Sequence, residues 1–349
     1  MINIESLLRE NIKNLMPYSS ARDEYSGDIG IFLDANENSF GSIPEGKLNR
    51  YPDPHQNKIK DKLSKIKKVN SKNIFIGNGS DEAIDLLFRA FCEPGKDSAL
   101  IMPPTYGMYK VAADINDVNI IEAPLTDEFQ IETEEVINSI TPNTKLIFIC
   151  SPNNPSGNLL NRDSIQKILK QFNGVVVVDE AYIDFANEES WISELERFNN
   201  LIVLQTFSKA WGLASIRVGM AYGNEQIISV LNKIKYPYNV NGVSQQIVLD
   251  ALDNESKKNE VVGKIVSERK KLVEALSALN IIEYIFPSES NFLLAKVNGA
   301  NKVYEYLLEN KIIVRNRSNM INCAECLRLT IGTEEENNKL IQMLSKYGE

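Results

Sequence analysis

VVVVDEAY, residues 175–182, is the stretch that decides the fold, because four valines in a row are followed at once by two acids, an alanine and a tyrosine. Two further apolar runs end in the same way: KLIFIC (145–150) leads into SPNNPSG, and LIVLQ (201–205) leads into TFSKAW. Short, continuously apolar runs rich in β-branched residues are typical of parallel strands covered by helices on both faces. We therefore predict an α/β fold in which these runs are strands of a mainly parallel sheet.

The same alternation of strands and helices extends over about residues 72–222. Further strands are predicted at SALIM (98–102) and NIIEA (119–123). The amphipathic stretches between the strands predict helices at 81–92, 105–114, 132–140 and 162–172. The last two begin near Thr or Asn residues that can cap a helix. This part of the chain therefore reads as a large domain with helices on its sheet.

The pattern changes after about residue 244. Val261, Ile265, Leu272 and Leu276 recur at helical intervals and predict one long helix. Shorter strands are predicted after it, followed by a last helix; these elements span 281–286, 291–296, 312–315, 327–331 and 334–347. We interpret them as a second, smaller α/β unit.

Composition excludes several classes of protein. The 349 residues hold 38 Lys and Arg against 47 Asp and Glu, a net charge of −9, which disfavours general nucleic-acid binding. No apolar run approaches the roughly 18 residues of a membrane helix, and no secretory signal is evident, so we expect a cytoplasmic protein. With one histidine, His55, and four cysteines, we expect neither a metal site nor a histidine triad. The cysteines are interpreted as reduced structural thiols.

Three polar residues follow three of the predicted strands. Asn154 lies beyond KLIFIC, Asp179 ends the valine run, and Lys209 follows LIVLQ. Ligands bind outside the carboxyl ends of the strands in a doubly wound sheet, so we expect an amide, an acid and an amine at one rim. An acid at a buried strand end needs a cationic partner, and a lysine among small and apolar residues is suited to forming Schiff bases. Together they predict pyridoxal phosphate, with the lysine on the aldehyde and the acid on the ring nitrogen.

A phosphate-bearing cofactor also needs an anion site, and GNGSDE (77–82) fits one. Gly77 and Gly79 allow the backbone to approach a ligand closely, and Ser80 and Asp81 open a helix whose free N–H groups attract phosphate. The same residues also fit ordinary helix capping. Additional hydrogen bonds to the phosphate are expected from Thr206, Ser208 and Arg217.

Ten segments that carry such residues occur in order along nearly the whole chain. They are LDANENSFG (33–41), RYPDP (50–54), GNGSDE (77–82), PPTYGMY (103–109), SPNNPSG (151–157), VVDEAYIDF (177–185), TFSKAWGLASIRVGM (206–220), PYNVNGVSQ (237–245), SNFLL (290–294) and LRLTIGTEEENNKL (327–340). In these segments the sequence resembles the class-II subgroup of the fold-type I pyridoxal-phosphate aminotransferases. Among them, it is most similar to the subfamily that acts on histidinol phosphate.

The resemblance implies a role for each matching residue at the cofactor. Lys209, Asp179 and Tyr182 would be catalytic: the Schiff-base lysine, the partner of the pyridine nitrogen and, with Asn154, a donor to the phenolic oxygen. Tyr106 would stack on the ring. Tyr51 would reach the phosphate of the neighbouring subunit's cofactor, which implies a homodimer with shared active sites. The implied phosphate-binding residues are Gly79, Ser80, Asp81, Thr206, Ser208 and Arg217.

The resemblance also implies the substrate side and the domain limits. Arg328 and Arg315 would grip anionic substrate ends, although Arg317 is an alternative to Arg315. Tyr18, Asn36 and Glu37 would border the same pocket. Residues 1–44 would form an N-terminal segment that contributes to the small domain and the substrate pocket, followed by a large cofactor-binding domain at 45–245 and a small domain at 246–349.

The implied reaction is the transfer of the amino group of L-histidinol phosphate to 2-oxoglutarate, giving imidazole acetol phosphate and L-glutamate in histidine biosynthesis. Three alternatives stay open: an L-threonine-phosphate decarboxylase, an aromatic amino-acid aminotransferase and a non-catalytic pyridoxal-phosphate sensor. The last is disfavoured because no basic helix-turn-helix segment flanks the domain. Ser39, Phe40 and Trp211 depart from the family pattern, and none of them carries an implied chemical role.

Overall fold

The structure is a computed structural model, and it describes residues 2–17, 35–44, 46 and 48–348. Tyr18, predicted to border the substrate pocket, lies outside the described residues.

A seven-stranded sheet forms the centre of the large domain. Its strands, in chain order, are β1 (Ile74–Asn78), β2 (Ser98–Ile101), β3 (Asn119–Glu122), β4 (Thr144–Cys150), β5 (Val175–Asp179), β6 (Leu201–Thr206) and β7 (Val218–Gly223). They lie side by side in the order β1-β7-β6-β5-β4-β2-β3. Only β7 runs antiparallel to its neighbours, so the predicted parallel sheet is confirmed. Strands β1 and β7 were missed, because their glycines weaken the strand pattern.

The valine run of β5 shows why the strands are apolar on both sides. Val175 and Val177 belong to the apolar core on one face of the sheet, whereas Val176 and Val178 belong to the core on the other face. All four valines are fully buried. Successive side chains of a strand point to opposite faces, so a strand covered on both faces cannot alternate with polar residues.

Helices cover both faces of this sheet. They are α3 (Asn57–Lys67), α4 (Gly79–Phe91), α5 (Met108–Ile115), α6 (Thr133–Asn138), α7 (Arg162–Gln171), α8 (Glu225–Ile234) and α9 (Gly242–Leu252). Of the two predicted caps, that of α7 is confirmed, because the Asn161 side chain accepts from the N–H groups of Asp163 and Ser164. The cap of α6 was wrong: Glu132 precedes this helix and makes no capping bond.

The C-terminal unit is built on an antiparallel sheet. Its elements are α10 (Glu255–Ser277), β8 (Ile282–Ile285), β9 (Phe292–Val297), α11 (Ala300–Glu309), β10 (Arg315–Asn316), β11 (Cys326–Thr330) and α12 (Glu334–Gly348). The strand order is β10-β11-β9-β8. Leu327 and Leu329 belong to the unit's own core, whereas Cys326 belongs to a core of the large domain. One face of the small sheet is therefore turned toward the large domain, and Arg328 lies on that face.

The N-terminal segment lies on the large domain where it is described. Two short helices, α1 (Ile4–Leu7) and α2 (Glu10–Lys13), bury Ile4 and Ile12 in the core beside α4 and α8. This contact with the large domain was not predicted from the sequence. The boundary proposed between residues 245 and 246 falls within α9. The division into two domains stays a proposal.

Among the described residues, no helix combines the length and the apolar character needed to cross a membrane. All four cysteines are free and buried.

Candidate active site

A cavity lies at the edge of the large sheet where β4, β5 and β6 end. The predicted amide, acid and amine all line it, together with the start of α4 and the residue that precedes β7. This is the position at which doubly wound sheets bind ligands. The described residues that line the cavity are Gly79, Ser80, Asp81, Tyr106, Cys150, Asn154, Asp179, Ala181, Tyr182, Thr206, Ser208, Lys209 and Arg217.

Asp179 is a buried acid with a hydrogen-bond donor on each oxygen. The Tyr109 hydroxyl donates to Oδ2 at 2.8 Å, and the backbone N–H of Ala181 donates to Oδ1 at 3.1 Å. Burial raises the pKa of Asp179 to about 6, although both donors act to lower it. Such a carboxyl ionises fully when a cationic group comes to lie beside it.

Lys209 lies in the turn after β6, with its Nζ 5.6 Å from the centre of the Tyr182 ring. Burial, together with the charge of Arg328, lowers the pKa of Lys209, whereas Asp179 acts in the opposite direction. More of this lysine is therefore neutral at physiological pH than of a surface lysine. The neutral amine is the form that attacks a carbonyl carbon or accepts a proton.

The end of the cavity at α4 has the features of an anion site. Gly79 adopts a left-handed conformation with a φ of +72°, and its N–H donates to the Arg217 carbonyl at 2.8 Å. The Arg217 guanidinium lies 3.5 Å from Asp81, to which the Tyr106 hydroxyl donates at 3.2 Å. The N-terminus of α4 and this guanidinium both favour an anion.

Gly219 lets β7 run directly beside this anion site. A Cβ added to Gly219 would lie 2.2 Å from the backbone nitrogen of Ser80 and 2.4 Å from the carbonyl carbon of Gly79. No side chain fits in that space, so the turn between β1 and α4 takes this shape only because position 219 is glycine.

Asn154 connects the cavity to the small domain. Arg328 Nη1 donates to Asn154 Oδ1 at 2.6 Å, and the amide nitrogen of Asn154 lies 3.4 Å from the Tyr182 hydroxyl. Arg328 also lies over the Phe292 ring, 5.2 Å from its centre. Tyr182 of the large domain and Arg328 of the small domain thus determine the orientation of the Asn154 amide.

Two more arginines lie beside Arg328. Arg315 pairs with Arg328 across β10 and β11, so their side chains share the face turned toward the large domain. Arg317 follows β10; it is half-buried, and its Nε has no hydrogen-bond partner among the described residues. Burial and the charge of Arg315 lower the pKa of Arg317, and burial and Arg317 lower that of Arg328. This arrangement of positive charge favours an anionic ligand.

Comparison with known proteins identifies the family. The family described as aminotransferase class I and II matches residues 31–344 of this chain. The chain belongs to the class I and II aminotransferases. A histidinol-phosphate aminotransferase of Cytophaga hutchinsonii is 53% identical over 345 residues, which cover 99% of both chains.

Solved structures agree with this aminotransferase fold. The crystal structure of the histidinol-phosphate aminotransferase from Clostridium acetobutylicum superposes with a TM-score of 0.80 at 25% identity, covering 86% of this chain and 91% of that one. A histidinol-phosphate aminotransferase from Sinorhizobium meliloti, solved in complex with pyridoxal-5'-phosphate, superposes with a TM-score of 0.78 at 21% identity, covering 89% of both chains. The predicted fold and family are confirmed.

Besides Arg315 and Arg328, three predicted residues of this aminotransferase lie outside the described lining of the cavity. Tyr51 is half exposed and stacks on Tyr238, with 4.5 Å between the ring centres. Glu37 accepts from Arg50 at 2.6 Å and from the Tyr51 N–H at 2.7 Å, so it connects the N-terminal segment to RYPDP. Asn36, the third, precedes Glu37 and has a φ of +54°.

Sequence reasoning missed Tyr109, although it belongs to the quoted segment PPTYGMY. Tyr109 lies three residues after Tyr106, nearly one helical turn. This spacing was the signal from which the sequence could have placed Tyr109 at the site. Its contact with Asp179 joins residues 70 positions apart, and no local pattern predicts such a pair.

Proposed function

We propose that this aminotransferase moves the amino group of L-histidinol phosphate to 2-oxoglutarate with pyridoxal phosphate as cofactor, giving imidazole acetol phosphate and L-glutamate. The observation that carries the proposal is the cavity in which Lys209 and Asp179 lie beside Asn154, whose amide is bonded to Arg328. Relatives that share more than half of their residues with this chain are named histidinol-phosphate aminotransferase.

The residues present fit pyridoxal phosphate. The turn between β1 and α4 lines the cavity with Arg217 beside it, and Gly219 allows β7 to approach that turn closely. Asp179 is buried, yet its two bonded oxygens keep lone pairs for a ring N–H. When bound, this cofactor supplies an aldehyde that takes up the amino group and a ring that accepts electrons from the adjacent carbon.

The chain's own residues would then transfer the protons and orient the bound cofactor. Lys209 would hold the cofactor between turnovers, and its neutral amine would accept the proton from the substrate Cα and give it up again during the transfer. Asp179 keeps the ring nitrogen protonated. Tyr182 and Asn154 would hydrogen-bond the phenolic oxygen, and the Tyr106 ring would cover one face of the cofactor.

The arginines would serve both substrates in turn. A planar guanidinium binds a phosphate or a carboxylate with two parallel hydrogen bonds, so Arg328 suits the phosphate ester as well as the dicarboxylate. Arg315 and Arg317 lie on the same side and extend the positive charge toward the far end of the substrate. We include both in the proposed substrate site, with Asn36 and Glu37 at the N-terminal segment.

We further propose that the enzyme works as a homodimer in the cytoplasm. Exposed apolar side chains occur in two segments that meet where Tyr51 stacks on Tyr238; they are Phe40, Ile43, Leu48, Tyr51, Tyr236 and Val243. An apolar surface of this kind is typical of a subunit interface. Tyr51 would project across it to the phosphate of the partner's cofactor.

A panel of amino donors tests the reaction. Purified enzyme with pyridoxal phosphate and 2-oxoglutarate should form glutamate faster with L-histidinol phosphate than with phenylalanine, tyrosine or histidinol. Histidinol is the matched control, since it lacks only the phosphate. Carbon dioxide release from L-threonine phosphate without glutamate formation would contradict transamination, and equal rates with histidinol would contradict recognition of the phosphate.

A further inference from the structure

A buried tyrosine on a helix donates a hydrogen bond to Asp179 and has no role in the mechanism above. Tyr109, on α5, is fully buried, and its hydroxyl donates to Asp179 Oδ2 at 2.8 Å. Burial and the nearby Asp179 raise the pKa of Tyr109 well above its ordinary range. The phenol therefore stays protonated at any physiological pH, and toward a carboxylate it acts as a donor.

Packing fixes the position of this hydroxyl. The Tyr109 ring stacks on Phe148 of β4 with 4.8 Å between ring centres and an angle of 18°. The Tyr106 ring contacts it edge-on at 5.5 Å. A ring held from two sides, with no exposed surface, cannot turn its hydroxyl away from the acid. The donor is thus in place before any ligand binds.

The hydrogen bond opposes the effect of burial on Asp179. A carboxyl this deeply buried prefers its neutral form, and a neutral acid does not hold a ring nitrogen in its protonated state. Donation from Tyr109 stabilises the ionised form, as does the Ala181 N–H on the other oxygen. Lys209 also favours ionisation, whereas Asp81 disfavours it. Cys150 and Tyr182 also lie near this acid.

We propose that Tyr109 is a positioning residue for the cofactor's ring nitrogen: its hydroxyl keeps Asp179 ionised and directed into the cavity. The inference rests on the proposed cofactor. It assigns the two tyrosines of PPTYGMY different tasks, with Tyr106 against the face of the ring and Tyr109 acting on its nitrogen through Asp179.

The test compares two ligands in Tyr109→Phe, which removes one oxygen and keeps the ring. The dissociation constant of pyridoxal phosphate is measured beside that of an analogue in which carbon replaces the ring nitrogen. Loss of a hydrogen bond to a charged group should weaken pyridoxal phosphate binding about tenfold. Binding of the analogue, which has no ring nitrogen to hold, should stay within about twofold of wild type, since only the bond to the ring nitrogen depends on the charge of Asp179.

Tyr222→Phe is the matched control. Tyr222 is also fully buried, but its hydroxyl has no hydrogen-bond partner among the described residues, so neither dissociation constant should change. Equal weakening of both ligands by Tyr109→Phe would assign Tyr109 a purely structural role and overturn the proposal, as would unchanged affinity for pyridoxal phosphate. Wild-type protein that binds no pyridoxal phosphate would instead refute the proposed function.

Discussion

The burial of Asp179 destabilises the folded protein, and only the proposed role of this acid at the cofactor explains that cost. Asp179 is 3% exposed, and burial raises its pKa to about 6. In an unfolded chain an aspartate has a pKa of about 3.9. Because the unfolded chain ionises this acid at a lower pH than the folded protein does, the cost is absent below about pH 4, grows between about pH 4 and about pH 6, and stays constant above that range. A ring nitrogen beside Asp179 would remove this cost.

Asp179→Asn should therefore change the pH dependence of stability in the cofactor-free protein. Two pKa units correspond to about 3 kcal/mol, so relative to wild type the unfolding free energy of the variant should rise by up to that amount from about pH 4 to about pH 8. Urea unfolding across this range measures it. A difference between the two proteins that does not vary with pH would contradict the raised pKa.

Arg328→Lys keeps a positive charge but loses the planar pair of donors. The bond to Asn154 and the grip on an anion both depend on guanidinium geometry, so we expect the KM of the amino donor and of 2-oxoglutarate to rise about tenfold or more. Steady-state kinetics with each substrate varied checks this. The control is Arg89→Lys, at a half-exposed arginine of α4 that pairs with Asp85. If only one of the two KM values changed, a single arginine would not serve both substrates.

At the scale of elements, the site depends on how closely β7 approaches the start of α4. The backbone hydrogen bond between Gly79 and Arg217 and the space that Gly219 leaves beside Ser80 hold the two together. The sheet order places β7 between β1 and β6, which brings Arg217 from a distant part of the chain to the N-terminus of α4. The anion site therefore depends on the order of the strands as much as on the sequence GNGSDE.

Gly219→Ala should disrupt this contact. The added methyl group would overlap the backbone of Gly79 and Ser80, so we expect a loss of about 1–3 kcal/mol in stability and weaker binding of pyridoxal phosphate. Thermal unfolding and cofactor titration measure the two effects. Gly263→Ala is the control, because nothing lies within 4 Å of its added Cβ in the exposed middle of α10, and it should stabilise the protein by up to about 1 kcal/mol. Normal cofactor affinity in Gly219→Ala would contradict the importance of this approach.

At the scale of the whole molecule, the proposed dimer assigns Tyr51 to the partner's site. In one subunit Tyr51 stacks on Tyr238, is half exposed, and is not among the described residues that line the cavity. In the proposed dimer, a residue so placed would contribute to catalysis through the second subunit. A two-fold axis would then give each of the two sites one Tyr51 from the opposite chain.

Mixing two defective variants tests this arrangement. Lys209→Ala should lose covalent attachment of the cofactor and with it all activity, and Tyr51→Ala should bind the cofactor phosphate weakly. Unfolded together and refolded, the two should form hybrids in which one site has both native residues, restoring up to about a quarter of wild-type activity. Lys264→Ala, at an exposed lysine of α10, is the control for the lysine change. No recovery in mixtures shown to contain hybrid dimers would refute the shared site.

The sequence by itself determined five of the seven strands of the large sheet, the family and most residues of the cavity. Strands covered on both faces are apolar throughout, and their ends meet at one edge, so Asn154, Asp179 and Lys209 were predicted from position alone. Tertiary structure decided the rest. The bond from Tyr109 to Asp179, the approach at Gly219 and the link from Glu37 to Arg50 each join segments whose distance depends on how helices and strands pack. A local sequence pattern predicts which face of a helix or strand is buried, but it does not predict which distant residue packs against that face.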